Sequence, residues 1–214
     1  MKILVIGDAH VTGFGLSAGQ VGFVGHFVRQ ISRAGQPVTV ELHSPPTLAD
    51  CHAQLVRLPL ERYDLIIWQC GADALSQPPT PTEPTTGWQR ICQQIRAVVS
   101  GKSMRDDAAT YRQAMLTLLR PQRHKVLIML PIEQPQDLTW WGRQQRRAFL
   151  GEGYQQGFSM FDTSLHVRPT DEYFLDRHPA YLNAISHELI GRALFDFYQA
   201  TPTIVAIRWV RKNE

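Results

Sequence analysis

Five short apolar runs, rich in β-branched residues, place the strongest constraint on how this chain can fold. They occupy positions 3–6, 37–42, 65–70, 126–130 and 158–161. In the first run every residue is apolar and a glycine follows, as is typical of a central strand buried on both faces of a sheet. The other four runs are also short and mainly apolar. The sequence therefore predicts five strands.

Segments with helical spacing of apolar residues separate these runs. They lie at 21–34, 47–57, 88–99, 107–119 and 140–154, and a last one, at 179–198, follows the fifth run. Because parallel strands need a crossover that is usually helical, this alternation favours an α/β fold with helices on both faces of a parallel sheet. We expect a single three-layer α/β/α domain over residues 1–214. Residues 203–210 are predicted to add a C-terminal strand at a sheet edge.

The charge and hydropathy of the chain exclude several classes of function. The 22 Lys and Arg and 19 Asp and Glu are spread along the sequence, so no nucleic-acid partner is expected. No run approaches the roughly 18 apolar residues of a membrane span, and residues 1–7 are too short for a signal peptide, so we expect a cytoplasmic protein. The three cysteines lack zinc-site spacing, and no cofactor is expected. Nothing in the sequence sets the oligomeric state.

Two segments at opposite ends of the chain carry residues suited to chemistry. Residues 7–15 read GDAHVTGFG and follow the first predicted strand. A glycine-rich turn of this kind exposes the residue at its tip and can point a backbone N–H at an oxyanion. Residues 174–183 read FLDRHPAYLN and contain an aspartate and a histidine close to the last predicted helix.

In this order the two segments resemble the first and last signature blocks of the SGNH/GDSL hydrolases. The resemblance implies the flavodoxin-like SGNH hydrolase fold and assigns roles to several positions. Ala9 falls where the family has its nucleophilic serine, and His178 matches the general base. The family's aspartate stands three residues before that histidine, a place taken here by Leu175, whereas Asp176 stands two before. Asp176 is therefore at most a vestigial partner, which either reaches His178 through a bend in the loop or points into solvent.

The groups that would stabilise an oxyanion also depart from the family. Gly71-Ala72-Asp73-Ala74 is similar to the block Gly-x-Asn-Asp, with Asp73 in the place of the amide donor. An ionised carboxylate only accepts hydrogen bonds and would repel a developing oxyanion. The family's second donor is a glycine N–H after the second strand, but Pro45 and Pro46 in that loop have no N–H.

These departures predict a pseudo-hydrolase with a binding or scaffold role and a small acyl or carbohydrate ligand in its cleft. Whether the chain is an enzyme is left open, because a second hypothesis uses other groups. In it Asp8, His10, Asp73 and His178 activate water directly, or hold a divalent metal that does, and hydrolyse ester or acetyl groups.

Three further features have ordinary interpretations. Residues 77–86 carry four prolines and are either one wall of a pocket or a linker. Arg143, Arg146 and Arg147 are predicted to form the solvated face of a helix. His187 is predicted to be a surface or hydrogen-bonded helix residue.

Overall fold

A parallel five-stranded sheet forms the centre of the molecule. The computed structural model describes residues 1–71, 109–134 and 140–201. In sheet order β2-β1-β3-β4-β5, the strands are β1 Lys2–Ile6, β2 Thr39–His43, β3 Leu65–Gln69, β4 Val126–Met129 and β5 Ser159–Phe161. The predicted five-stranded parallel sheet is confirmed, with bounds close to those expected, and its strand order is that of the flavodoxin-like folds.

Helices cover both faces of this sheet. They are α1 Phe23–Arg33, α2 Leu48–Arg57, α3 at 109–119, α4 Trp140–Gln155 and α5 Ala184–Ala200. Alternate β1 residues point to opposite faces, so that Val5 joins the core under α1 and α5 and Leu4 joins the core under α2, α3 and α4. None of the helices within the described ranges is long and apolar enough to cross a membrane.

Several predicted segments lie outside the described residues. They are the helix at 88–99, the proline-rich segment at 77–86, the C-terminal strand at 203–210, Cys92 and Asp73.

The predicted start of the last helix, at position 179, is wrong. The segment before the last helix forms an antiparallel hairpin of two strands, β6 Phe174–Leu175 and β7 His178–Leu182. Helix α5 begins only at Ala184. Pro179 lies inside β7, and a proline biases the residue before it towards extended backbone. Asn183 starts the helix instead, because its side-chain oxygen accepts the Ser186 N–H at 3.0 Å.

Candidate functional site

The turn after β1 lies at the carboxyl edge of the sheet, between β2 and β3. It is a short 3₁₀ helix, Ala9–Thr12, which ends at Gly13 with a φ of 72°. Gly15 has a φ of 84°, a left-handed conformation that suits glycine. Ala9 is the first residue of the turn, and its carbonyl accepts the Thr12 hydroxyl at 2.8 Å. The one hydroxyl in the turn is thus engaged in holding the backbone.

Asp8 and His10 form a buried pair beneath this turn. His10 is 6% exposed, and its Nδ1 lies 2.8 Å from Asp8 Oδ1, which also accepts the His10 backbone N–H. Gln69, at the end of β3, accepts the Asp8 N–H at 2.9 Å and donates to Asp8 Oδ2 at 3.2 Å. Burial by itself would raise the pKa of Asp8, but the hydrogen bonds and charge of His10, with help from Gln69, hold it below its ordinary value. The carboxylate is therefore ionised near neutral pH.

The second ring nitrogen of His10 reaches the hairpin. His10 Nε2 lies 3.1 Å from the Ala180 carbonyl oxygen, which also accepts a hydrogen bond from Gln134 Nε2 at 3.2 Å. A carbonyl oxygen only accepts, so Nε2 must donate, and Nδ1 must donate to the ionised Asp8. Both contacts form together only when His10 is an imidazolium. The second hypothesis placed His10 near His178, whereas its contact is with the Ala180 backbone of the same segment.

The predicted general base lies apart from this buried pair. His178 is exposed at the start of β7, and Asp176 is exposed in the two-residue connection before it. Within the described part of the chain, no hydrogen bond or ion pair joins these two side chains. Of the two alternatives for Asp176, the structure has the one in which it points into solvent.

Tyr181 occupies the space between the turn and His178. Its ring centroid lies 5.5 Å from that of His10, 4.7 Å from that of Phe14 and 6.5 Å from that of His178. Phe14 is half exposed, at 52%. The hairpin and the turn thus present an aromatic wall beside Ala9, which the two signature-like blocks did not predict.

A small cavity lies on the other side of Asp8. It has a volume of about 30 Å³, and its lining includes Pro45, Pro46, Trp68 and Gln69. A water molecule needs roughly 10–15 Å³ of such space, so the cavity has room for about two waters and not for an acyl chain or a sugar. The two prolines give it no N–H donor.

The four-residue metal set of the second hypothesis is not assembled by the residues that the structure describes. Among them no three histidine, cysteine, aspartate or glutamate side chains come together. Asp8 and His10 do meet, but both ring nitrogens of His10 are engaged, so neither offers a lone pair to a cation. Asp73 lies outside the described residues. No observation favours the metal-assisted mechanism over the first hypothesis.

His187 is a buried member of α5, with no exposed surface. Its Nδ1 accepts the Phe23 N–H at 3.1 Å, at the start of α1, and its ring stacks on that of Phe23. Burial, with the charges of His10 and His26, lowers the pKa of His187 to about 4. His187 is therefore neutral near pH 7.

Arg146 is buried, so its predicted place on a solvated helix face is wrong. Its guanidinium donates to the Asp162 carboxylate, to the Pro131 carbonyl at 2.7 Å and to the Thr163 hydroxyl at 3.1 Å. Glu133 lies 3.7 Å away. Burial by itself would raise the pKa of Asp162, but Arg146 holds it below the ordinary value. The sequence could not reveal this because every partner comes from outside α4.

Comparison with solved structures identifies the fold. TesA is similar with a TM-score of 0.66 and 15% identity, over 93% of this chain and 98% of that one. The lipase/acylhydrolase from Enterococcus faecalis has a TM-score of 0.64 and 18% identity, over 92% of this chain and 95% of its own. A variant of an acetyl-xylooligosaccharide esterase from Geobacillus Stearmophilus has a TM-score of 0.62 and 14% identity, over 94% and 95% of the two chains.

These neighbours are SGNH/GDSL lipases and esterases, so the chain has the SGNH hydrolase fold, as its signature-like blocks predicted. No protein-family model matches the sequence, and no curated protein matches it significantly.

Proposed function

We propose that this chain is a non-catalytic protein built on the SGNH hydrolase fold, with a binding or scaffold role. The observation that carries the proposal is the methyl group of Ala9 at the first position of the turn, where the resemblance calls for an attacking hydroxyl. Thr12 uses its hydroxyl within the turn. His178 has no carboxylate to orient it among the described residues. Nucleophile and oriented base are therefore both missing from the described site.

A small acyl or acetylated carbohydrate is the ligand class that we propose for the cleft. Phe14 and Tyr181 offer apolar ring surface beside Ala9. The cavity beside Asp8 is too small for such a ligand, so the surface at Ala9 and the aromatic wall is the proposed contact. The cytoplasmic location and the lack of nucleic-acid and membrane partners stay predictions.

Esterase assays test the loss of catalysis. We expect purified protein to leave p-nitrophenyl acetate and butyrate unhydrolysed above the buffer rate. Ala9→Ser is expected to stay within about tenfold of that rate, because nucleophile, base and oxyanion donors act as a unit and the hydroxyl restores only one of them. Robust turnover by the unmodified chain that His178→Gln abolishes would contradict the proposal.

Thermal denaturation with a panel of short-chain fatty acids and acetylated xylose or glucose tests the binding role. A compound present at about 100 times its Kd should stabilise the fold by about 2.7 kcal/mol and raise the Tm. Ala9→Phe fills the proposed contact surface and should remove the rise in Tm, whereas Ala18→Phe, on an exposed loop residue, should retain it. If no compound raises the Tm, or if Ala9→Phe leaves the rise unchanged, the ligand class or the site is wrong.

A further inference from the structure

The contact between His10 and Ala180 joins two segments that are distant in sequence. It requires a proton on His10 Nε2 while Nδ1 keeps its own proton for Asp8. The β6–β7 hairpin precedes α5, and the turn follows β1. His10 is the side chain in the turn that reaches the hairpin backbone, through Nε2 and the Ala180 oxygen at 3.1 Å. Its other nitrogen, at 2.8 Å from Asp8, also faces an acceptor. A neutral imidazole has one N–H and can satisfy only one of the two.

We propose that His10 is a protonation-dependent latch that fastens the β6–β7 hairpin onto the turn after β1. When the ring is an imidazolium, both contacts are hydrogen bonds and the hairpin is held. When the ring loses a proton, the remaining N–H stays with Asp8, because a bond to a carboxylate is stronger than one to a carbonyl. The lone pair of Nε2 then faces the Ala180 oxygen, and the hairpin is released.

Several ionisable or polar groups on neighbouring elements surround the His10 ring and can act on the proton at Nε2. Asp8 contacts the His10 ring from the turn, and Gln69 of β3, which does not titrate, holds that carboxylate in place. From the helical side, His187 of α5 interacts electrostatically with His10, and His26 of α1 acts on His187.

The side chains on the hairpin and on β2 make no hydrogen bond or ion pair with the His10 ring among the described residues. Tyr181 of β7 packs its ring 5.5 Å from that of His10. On β2, Glu41 and His43 are bonded to each other at 3.1 Å. Among the residues that the structure describes, Asp8 is therefore the one that makes a direct ionic contact with the His10 ring.

His10 and His187 have opposite requirements, and this sharpens the proposal. His187 uses Nδ1 as an acceptor for the Phe23 N–H and must be neutral, whereas His10 must be charged to keep both of its acceptors. The geometry therefore places one positive charge on His10 and leaves His187 neutral.

Amide hydrogen exchange of the full chain, read by mass spectrometry at pH 6 and pH 8.5, tests the latch. After correction for the intrinsic exchange rate, we expect protection of residues 174–182 to fall at least about tenfold at the higher pH, the loss of one charge-assisted hydrogen bond. His10→Gln has one side-chain donor group and no titration, so its hairpin should show low protection at both pH values. His178→Gln removes an exposed histidine of the same hairpin and should retain the pH dependence.

The proposal is overturned if the hairpin of the unmodified chain is equally protected at both pH values, or if His10→Gln retains the full pH dependence. Nitrogen-15 spectra of the histidine rings give a second measurement that needs no variant. We expect both His10 nitrogens to carry protons while the hairpin is closed. A neutral His10 ring in the closed state at pH 6 would overturn the latch even if the variant failed to fold.

Discussion

Replacing Arg146 by alanine is expected to lower the free energy of unfolding by about 3 kcal/mol, as measured by urea denaturation. The variant leaves the Asp162 carboxylate without its cation and the Thr163 hydroxyl without the guanidinium donor. The Pro131 carbonyl loses its charged donor and keeps only the Thr163 hydroxyl, at 3.0 Å. Removing one partner of a buried ion pair costs more than the pair itself contributes, because the other charge stays away from water.

Arg147 provides the matched control for this prediction. It is the next residue of α4 and is exposed, so Arg147→Ala should change the free energy of unfolding by no more than about 0.5 kcal/mol. An Arg146→Ala variant as stable as Arg147→Ala would show that the buried guanidinium contributes nothing, and the account of this cluster would be wrong.

Acidification is expected to destabilise the fold through His187. In the unfolded chain this histidine takes up a proton as the pH falls below 6.5, but in the folded protein it stays neutral until about pH 4. The unfolded state binds more protons in this window, so the free energy of unfolding decreases as the pH falls. The full effect is about 3 kcal/mol, present at pH 7 and lost by about pH 4.

Denaturation curves from pH 7 to pH 4 measure this dependence. His187→Gln keeps an acceptor for the Phe23 N–H but does not titrate, so its stability should vary much less with pH over this range. His178→Gln should vary as the unmodified chain does. The lowered pKa values of Asp8 and Asp162 have their effect at lower pH, because a depressed carboxylate loses its contribution only as the pH falls through its folded value. An equal slope in His187→Gln and the unmodified chain would refute the assignment.

The hairpin explains why the end of the chain was harder to predict than its beginning. Residues 179–182 have apolar and small side chains that suit a helix as well as a strand. Their conformation is decided by pairing with β6 and by the Asn183 cap, which the apolar spacing does not reveal. Central strands such as β1 and β4 were predictable because the runs at 3–6 and 126–129 are buried on both faces and are apolar at every position. The edge strand β2 is exposed or half-buried along its length and includes Glu41.

Some features of the candidate site were likewise predictable from single residues, and others depend on the fold. The methyl group of Ala9 and the missing N–H groups of Pro45 and Pro46 are properties of single residues and hold in any environment. The aromatic wall, the paired His10 and the solvent-facing Asp176 depend on which segments meet at the carboxyl edge of the sheet.

The sequence alone determined the α/β fold, the order of its strands along the chain, and the methyl group of Ala9 in the turn. Only the tertiary structure decided which polar groups are buried together, as Asp8 with His10 and Arg146 with Asp162. The physical reason is that apolar periodicity depends only on residues that are close together in the sequence. The proton and charge on a buried side chain are set by partners that the fold brings from distant parts of the chain.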